Sequence, residues 1–227
     1  MQKKHYLLIA KNYCQMFNQD NWMQSRLGKF TASEIGNLLT ESKKKDEVFG
    51  ATAKSYIHKK IHELISGEVK ELPSLPALEW GKSLENEAIS VYQAQTSNKV
   101  ENFGGANPKF FEFGERAGGS PDGLYENDKG TGVLEIKCPY SGETMIDYLL
   151  FNNQADLLSY NKNYYAQVQF NMICTNTNFA NWVAYDPRIN MLKILHIDRD
   201  NEFCDKLIEK VELATIYMNN ILNLIHV

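Results

Sequence analysis

The spacing of hydrophobic residues changes character along the chain. In the first third, apolar residues recur at intervals typical of helices, and Glu71–Pro76, with two prolines, interrupts this pattern as a loop. Thr31 or Ser33 is a suitable N-cap for one of the helices. We therefore expect four helices in this part, over the following segments: Lys3–Asn18, Thr31–Leu39, Ala51–Ser66 and Ala77–Gln95.

The middle and the end of the chain add strands. Gly104–Gly123 is rich in glycine and aromatic residues, which predicts short strands joined by turns. The remaining elements are a strand at Val133–Cys138, a helix at Asn163–Cys174, strands at Asn181–Tyr185 and Met191–Ile197, and a C-terminal helix with one apolar face. The mixture predicts an α/β (mixed α+β) fold.

Length and composition bound the architecture. A chain of 227 residues with 43% hydrophobic residues can bury one sizeable core, so we expect a single domain over residues 1–227. The N-terminal apolar run before Lys11 is too short for a signal peptide, and no stretch is long enough to span a membrane. These features predict a cytoplasmic protein that needs no membrane.

Charge and cysteine usage exclude some functions. The formal net charge of −4 argues against a protein that coats nucleic acid, since such proteins are usually basic. It does not exclude a nuclease whose DNA contacts are confined to one channel and whose acidic site is neutralised by metal ions. Four scattered cysteines without a C-x-x-C pair give no zinc site.

One segment combines residues that suit phosphodiester chemistry. Glu135 and Lys137 lie two residues apart in the predicted strand, so they share one face, about 6.6 Å apart. Alone, this pair is also typical of a salt-bridged or solvated strand face. Asp122, in the turn Pro121-Asp122-Gly123, comes shortly before this strand and could aim its carboxylate at Glu135.

Two neighbouring carboxylates repel unless a cation lies between them, and hard oxygen ligands suit Mg²⁺. The main-chain carbonyl of Ile136 could supply a further oxygen. Lys137 would then lie beside the metal, where it could orient a water nucleophile and offset charge in the transition state. The spacing therefore predicts a metal-dependent phosphodiesterase site.

The same residues carry a family resemblance. Pro-Asp followed by Glu-x-Lys is the signature of the restriction-endonuclease-like nuclease superfamily. Five segments, in family order, resemble the phage lambda exonuclease and YqaJ-like viral recombinase family within it. They are Arg26–Ser33 (Arg-Leu-Gly-Lys-Phe-Thr-Ala-Ser), Trp80–Glu85 (Trp-Gly-Lys-Ser-Leu-Glu), Ser120–Gly123 (Ser-Pro-Asp-Gly), Leu134–Pro139 (Leu-Glu-Ile-Lys-Cys-Pro) and Tyr164–Gln169 (Tyr-Tyr-Ala-Gln-Val-Gln).

The resemblance implies a role for each matching residue. Asp122, Glu135 and the Ile136 carbonyl hold two Mg²⁺ ions, for which Mn²⁺ can substitute, and Lys137 activates the water. Glu85 and Gln167 complete the catalytic set from two helices. A second set grips the 5′-terminal phosphate and consists of Arg26, Ser33 and Ser120. Apart from the resemblance, Leu78 is an apolar residue at the start of the helix that carries Glu85, which makes it a candidate for separating the terminal base pair.

The implied fold is a central mixed β-sheet flanked by helices, as in restriction endonucleases. The implied activity is 5′→3′ digestion of one strand of linear double-stranded DNA from 5′-phosphorylated ends, which leaves 3′ overhangs for recombination. The implied partners are a second and third copy in a ring-shaped homotrimer and a single-strand annealing protein, in the cytoplasm of a bacterial host of a phage or prophage.

Two alternatives remain open. One is another nuclease of the superfamily, either an endonuclease or an iron–sulfur-containing RecB-like exonuclease. The latter requires a cysteine cluster near the C-terminus that Cys174 and Cys204 do not supply. The other is a DNA-binding relative without activity, which the presence of Asp122, Glu135 and Lys137 disfavours.

Overall fold

A computed structural model describes residues 20–69, 75–105 and 107–226. The helix expected at Lys3–Asn18 and most of the loop expected at Glu71–Pro76 lie outside the described residues. Residues 20–26 form a helical segment that leads into the first strand. No helix in the described part of the chain is long and apolar enough to cross a membrane.

The first described helices agree with the expected positions but differ in detail. Ala32–Leu39 is a 3₁₀ helix rather than an α-helix, in a stretch where Ser33, Gly36 and Asn37 have low α-helix propensity. Thr31 is its N-cap residue but makes no side-chain capping bond. Helix α1 covers Ala51–Ser66, as predicted. Helix α2 covers Pro76–Thr96 and begins with proline at its first turn, where a missing N–H costs nothing.

Eight strands form two sheets in the described residues. The smaller sheet has the order β1-β4-β3, with β1 at Phe30–Thr31, β3 at Phe111–Phe113 and β4 at Ala117–Gly119. The larger sheet has the order β2-β5-β6-β7-β8. Its strands are β2 (Lys99–Asn102), β5 (Gly123–Asn127), β6 (Gly130–Lys137), β7 (Phe179–Asp186) and β8 (Met191–Asp198). Only β6 and β7 are parallel neighbours in it.

Four further helices follow β6. They are α3 (Gly142–Leu149), α4 (Gln154–Tyr160), α5 (Lys162–Thr175) and α6 (Asn201–Leu224). The sequence patterns predicted α5 and α6 but neither α3 nor α4, which are only 8 and 7 residues long. Asn161 begins α5 by accepting hydrogen bonds from the main-chain N–H groups of Asn163 and Tyr164.

Helices cover both faces of the larger sheet. On one face Leu134 and Ile136 of β6 pack with Ala88, Ile89 and Tyr92 of α2. On the other face Val133 of β6 and Trp182 of β7 pack with apolar residues of α3, α4 and α5. A third cluster joins α1, α5 and α6 to the smaller sheet. The predicted mixed α/β class is confirmed. Strand β6 lies at the centre of the larger sheet, and its residues 132–136 are buried.

Candidate active site

A cavity of about 440 Å³ opens at the C-terminal end of β6. Its walls come from α2, the turn before β5, the end of β6 and α5. Residues with chemistry in this lining are Ser33, Lys82, Glu85, Lys109, Ser120, Asp122, Glu135, Lys137 and Gln167. The structure therefore brings residues that are 134 positions apart in the chain, Ser33 and Gln167, into one cavity.

Asp122 lies where β5 pairing stops. The last β5–β6 pair is Gly123 with Leu134, so β5 offers no further backbone acceptor to β6. The Asp122 carboxylate takes that place and accepts a hydrogen bond of 2.6 Å from the Ile136 N–H. Because the N–H and C=O of one strand residue point to the same side, the Ile136 carbonyl also faces the Asp122 side of the strand.

Glu135 and Lys137 lie on the opposite face of β6 from Leu134 and Ile136, as the alternation predicts. The Lys137 ammonium donates a hydrogen bond of 2.6 Å to Glu135 Oε1 and lies 3.3 Å from Gln167 Oε1. The Glu135 side chain is only 2% exposed, because α5 covers this face. The pair therefore joins a buried carboxylate to a half-buried ammonium group and is not a solvated strand face.

The pKa values show how strongly these charges interact. Burial raises the pKa of Asp122 well above its usual range, and the nearby Glu135 carboxylate raises it further. Burial also raises the pKa of Glu85. Burial lowers the pKa of Lys137, but the carboxylates of Glu135 and Asp122 outweigh this and leave it raised. Lys137 thus interacts with the carboxylates of Glu85, Asp122 and Glu135, and Lys82 also acts on Glu85.

The donor set suits Mg²⁺. Among the described residues, no three His, Cys, Asp or Glu side chains stand together as a complete metal-binding cluster. Mg²⁺ does not need such a cluster, since it is usually bound by one or two carboxylates together with substrate phosphates and water. Asp122, Glu135 and the Ile136 carbonyl are oxygen ligands of this kind, and they line one cavity.

A smaller cavity of about 130 Å³ adjoins the first. It is lined by Arg26, Ser33 and Ser120, together with Trp22, Thr31 and Ala32. Trp22, Ser33 and Ser120 line both cavities, so the two are contiguous. The three residues that the resemblance assigns to the terminal phosphate therefore meet in one place.

Trp22 connects two of these residues. Its ring lies under the Arg26 guanidinium at 4.0 Å, and its Nε1 donates a hydrogen bond of 2.9 Å to Ser120 Oγ. Burial lowers the pKa of Arg26, and within the described part of the chain its guanidinium forms no ion pair with a carboxylate. A half-buried arginine without an anionic partner is suited to bind an anion.

A buried network supports the segment that carries Arg26. Gly28 has φ +65°, and its N–H donates to Glu63 Oε2 at 3.4 Å. Glu63 is paired with Lys60 at 2.9 Å, and both residues are buried. The Tyr56 hydroxyl accepts from the Thr31 N–H at 2.9 Å. Helix α1 thus binds the main chain at Gly28 and at Thr31, two points of the segment between Arg26 and Ser33.

The comparisons with known proteins identify the family of the chain. A family model for the YqaJ-like viral recombinase domain matches residues 21–178, more than half of the chain. The chain belongs to the YqaJ-like viral recombinase family. The matched region contains every predicted site residue of this YqaJ-like domain. No curated protein sequence matches the chain.

Solved structures resemble this YqaJ-like domain closely in fold. An alkaline exonuclease from Laribacter hongkongensis is 24% identical, with a TM-score of 0.72 over 91% of this chain and 96% of its own. Its complex with dAMP gives a TM-score of 0.71 at the same identity, over 91% of this chain and 95% of its own. A phage-related exonuclease from Haemophilus somnus is 19% identical, with a TM-score of 0.67 over 87% of this chain and 96% of its own. The predicted family and the restriction-endonuclease-like fold are confirmed.

All nine predicted site residues of the YqaJ-like domain lie in the two cavities; Arg26 lines only the smaller one. Their roles stay predictions. Leu78 also lines the larger cavity and is 40% exposed. The sequence patterns missed Trp22 and Asn171, whose side chains contact Ser120 and Glu135. Each lies four residues from a predicted residue, Arg26 or Gln167, and a helical i,i+4 search would have found both.

Proposed function

We propose that the protein is a Mg²⁺-dependent exonuclease that removes nucleotides from the 5′ ends of double-stranded DNA. The observation that carries this proposal is the contiguity of the two cavities. The larger cavity holds the residues proposed for phosphodiester hydrolysis, and the adjoining pocket around Arg26 is suited to a phosphate monoester. A strand whose terminal phosphate fills the Arg26 pocket would extend its first phosphodiester into the larger cavity.

Different residues of the cavity would bind the metal ion and orient the attacking water. Asp122, Glu135 and the Ile136 carbonyl would hold Mg²⁺, which would offset negative charge on the phosphate in the transition state. Lys137, fixed by Glu135 and Gln167, orients the attacking water and adds a positive charge beside the phosphate. Glu85 lines the same cavity from α2 and would contribute through water.

The bond that breaks follows from this placement. Water attacks the phosphorus of the first internal phosphodiester, and the 3′ oxygen of the terminal nucleotide leaves with a proton. The products are a 5′-mononucleotide and a strand that again ends in a 5′-phosphate. This new end can enter the Arg26 pocket, so one pocket serves every cycle. The structural neighbour solved with dAMP holds a mononucleotide of this kind.

The Arg26 pocket has the chemistry to recognise an end. A guanidinium presents two parallel N–H groups to phosphate oxygens, and the Ser33 and Ser120 hydroxyls can donate further bonds. A terminal phosphate monoester carries more charge than an internal diester, so a pocket with one unpaired guanidinium favours the end. We extend the proposal to a homotrimeric ring around DNA, a single-strand annealing partner and action in the cytoplasm, all supported by the family resemblance.

The proposal is tested by digesting three substrates with Mg²⁺: linear duplex with 5′-phosphate ends, the same duplex with 5′-hydroxyl ends, and a closed circle. We expect fast loss of the phosphorylated strand, slower loss of the hydroxyl strand and an intact circle. Arg26→Gln should reduce the difference between the two linear substrates while leaving hydrolysis of the hydroxyl end unchanged. Cutting of the circle would instead indicate an endonuclease.

A further inference from the structure

Glu135 has a second hydrogen-bond donor besides Lys137. Asn171 of α5 is fully buried, and its Nδ2 donates a hydrogen bond of 3.0 Å to Glu135 Oε2. Lys137 occupies the other oxygen, Oε1, at 2.6 Å. Each oxygen of this carboxylate is therefore held by one donor, and the carboxylate cannot rotate without losing a bond. Neither composition nor the family motifs indicate this role for Asn171.

The helix and the strand are in register at this contact. Gln167 and Asn171 are one turn apart on α5, a rise of about 6 Å. Lys137 and Glu135 are two residues apart on β6, a rise of about 6.6 Å. Because the two spacings nearly match, the Gln167 amide contacts the Lys137 ammonium. In the same way, the Asn171 amide contacts the Glu135 carboxylate. The two amides of α5 therefore hold both charged groups of β6.

The environment of Asn171 argues against a role as filler of the core. Its Oδ1 is buried and has no hydrogen-bond partner among the described residues. That oxygen faces Gly119 so closely that a Cβ at Gly119 would lie 2.4 Å from it. An apolar side chain of the same size would avoid an unpaired buried oxygen. What the amide supplies that an apolar side chain cannot is its N–H group, which is directed at Glu135.

We propose that Asn171 is a positioning residue that holds the Glu135 carboxylate in the orientation required to bind the divalent metal ion. This rests on the proposed function, in which Glu135 is a metal ligand. Residues that hydrogen-bond a metal-binding carboxylate orient it before the metal arrives, and their loss typically lowers metal affinity about 10- to 100-fold. Asn171 also contacts Gly119, the residue before Ser120 of the phosphate pocket.

A matched pair of variants tests the proposal. Asn171→Leu replaces a buried amide by an apolar side chain of the same length. Gln169→Met does the same two residues away on the same helix, where Gln169 instead bonds the Asp198 carbonyl and the Asp200 N–H. Both variants lose a buried amide, so both are expected to lose stability. Only Asn171→Leu removes a donor from Glu135.

The first readout is calorimetric titration of Mn²⁺ into the DNA-free protein, and the second is the split between kcat and KM on linear duplex DNA. We expect Asn171→Leu to weaken Mn²⁺ binding by about 10-fold or more and to lower kcat without raising KM for DNA. Gln169→Met should bind Mn²⁺ as the wild type does. If Asn171→Leu does not fold, Asn171→Ser, whose hydroxyl is too short to reach Glu135, carries the same expectation.

The outcomes separate this inference from the proposed function. Wild-type protein that neither binds Mn²⁺ nor cleaves DNA would overturn the proposed function, and the inference with it. Wild-type protein that does both, with unchanged Mn²⁺ affinity in the Asn171 variants, would overturn the inference alone. Equal weakening of Mn²⁺ binding by Gln169→Met would also overturn it, because the effect would then come from the packing of α5.

Discussion

Replacement of Lys137 by alanine separates catalysis from metal binding. The ammonium lies 2.6 Å from Glu135 Oε1 and 3.3 Å from Gln167 Oε1, at the wall of the larger cavity. Removal of one positioned donor from a transition state typically costs about 100- to 1000-fold in kcat, or about 3–4 kcal/mol. We expect a loss of that size for Lys137→Ala in single-turnover cleavage of linear duplex DNA.

The affinity for Mg²⁺ should not fall with the rate in this variant. Lys137 competes with a divalent cation for Glu135 Oε1 and repels it, so Lys137→Ala should bind Mg²⁺ at least as tightly as the wild type. Without metal, Glu135 keeps only its Asn171 partner and remains buried, which should lower the free energy of unfolding by about 3 kcal/mol. Added Mg²⁺ should restore part of this stability, because it replaces the missing positive charge.

The assay combines single-turnover rates with Tm measured across a Mg²⁺ titration. Lys82→Ala is the matched control, because it removes the same charge from the same cavity, while Lys82 forms no ion pair in the described part of the chain. It should raise KM and leave kcat nearly unchanged. A Lys137→Ala protein that lost Mg²⁺ affinity in parallel with its rate would refute the reasoning, since the lysine would then be structural.

Three further predictions concern the same cavities and their support. Asp122→Asn should weaken both Mg²⁺ binding and cleavage by at least about 10- to 100-fold, the loss typical of removing a group that only orients a metal ligand. Calorimetry and the duplex assay measure the two effects, and near-normal activity would exclude the proposed metal site. Trp22→Phe keeps a ring under Arg26 but loses the hydrogen bond to Ser120, so the preference for 5′-phosphate over 5′-hydroxyl ends should fall about fivefold. An unchanged preference would show that Trp22 does not position Ser120 for the phosphate. Gly28→Ala places a Cβ 3.0 Å from Leu64 Cβ in a residue with φ +65°. Urea denaturation should therefore show a free energy of unfolding lower by about 1–3 kcal/mol. An unchanged denaturation midpoint would contradict this.

The sequence was informative where local patterns decide the structure. Alternation in β6 correctly placed Leu134 and Ile136 on one face and Glu135 and Lys137 on the other. The apolar spacing also located α1, α5 and α6. It could not separate 3₁₀ from α-helix at Ala32–Leu39, because both have apolar residues three or four apart and differ only in hydrogen bonding.

The residues that the sequence did not indicate depend on long-range packing. The donor role of Asn171 exists only because α5 lies over β6, and the contact of Trp22 with Ser120 joins segments 98 residues apart. The i,i+4 spacing from Arg26 and Gln167 marks Trp22 and Asn171 as neighbours on the same helices, but it does not encode the distant partner that each one contacts. The buried pair of Lys60 and Glu63 is similar, since it supports the Arg26 pocket only through the long-range bond between Glu63 and Gly28.

The most direct test measures which phosphodiester bond is cleaved first. A duplex whose 5′-terminal phosphate is radiolabelled is mixed with excess protein, and the reaction is started with Mg²⁺. The account predicts that the label appears first as a 5′-mononucleotide, that a chelator prevents this, and that Asp122→Asn greatly slows it. Label that first appears in longer oligonucleotides, or that is released equally well with the chelator, would contradict the account.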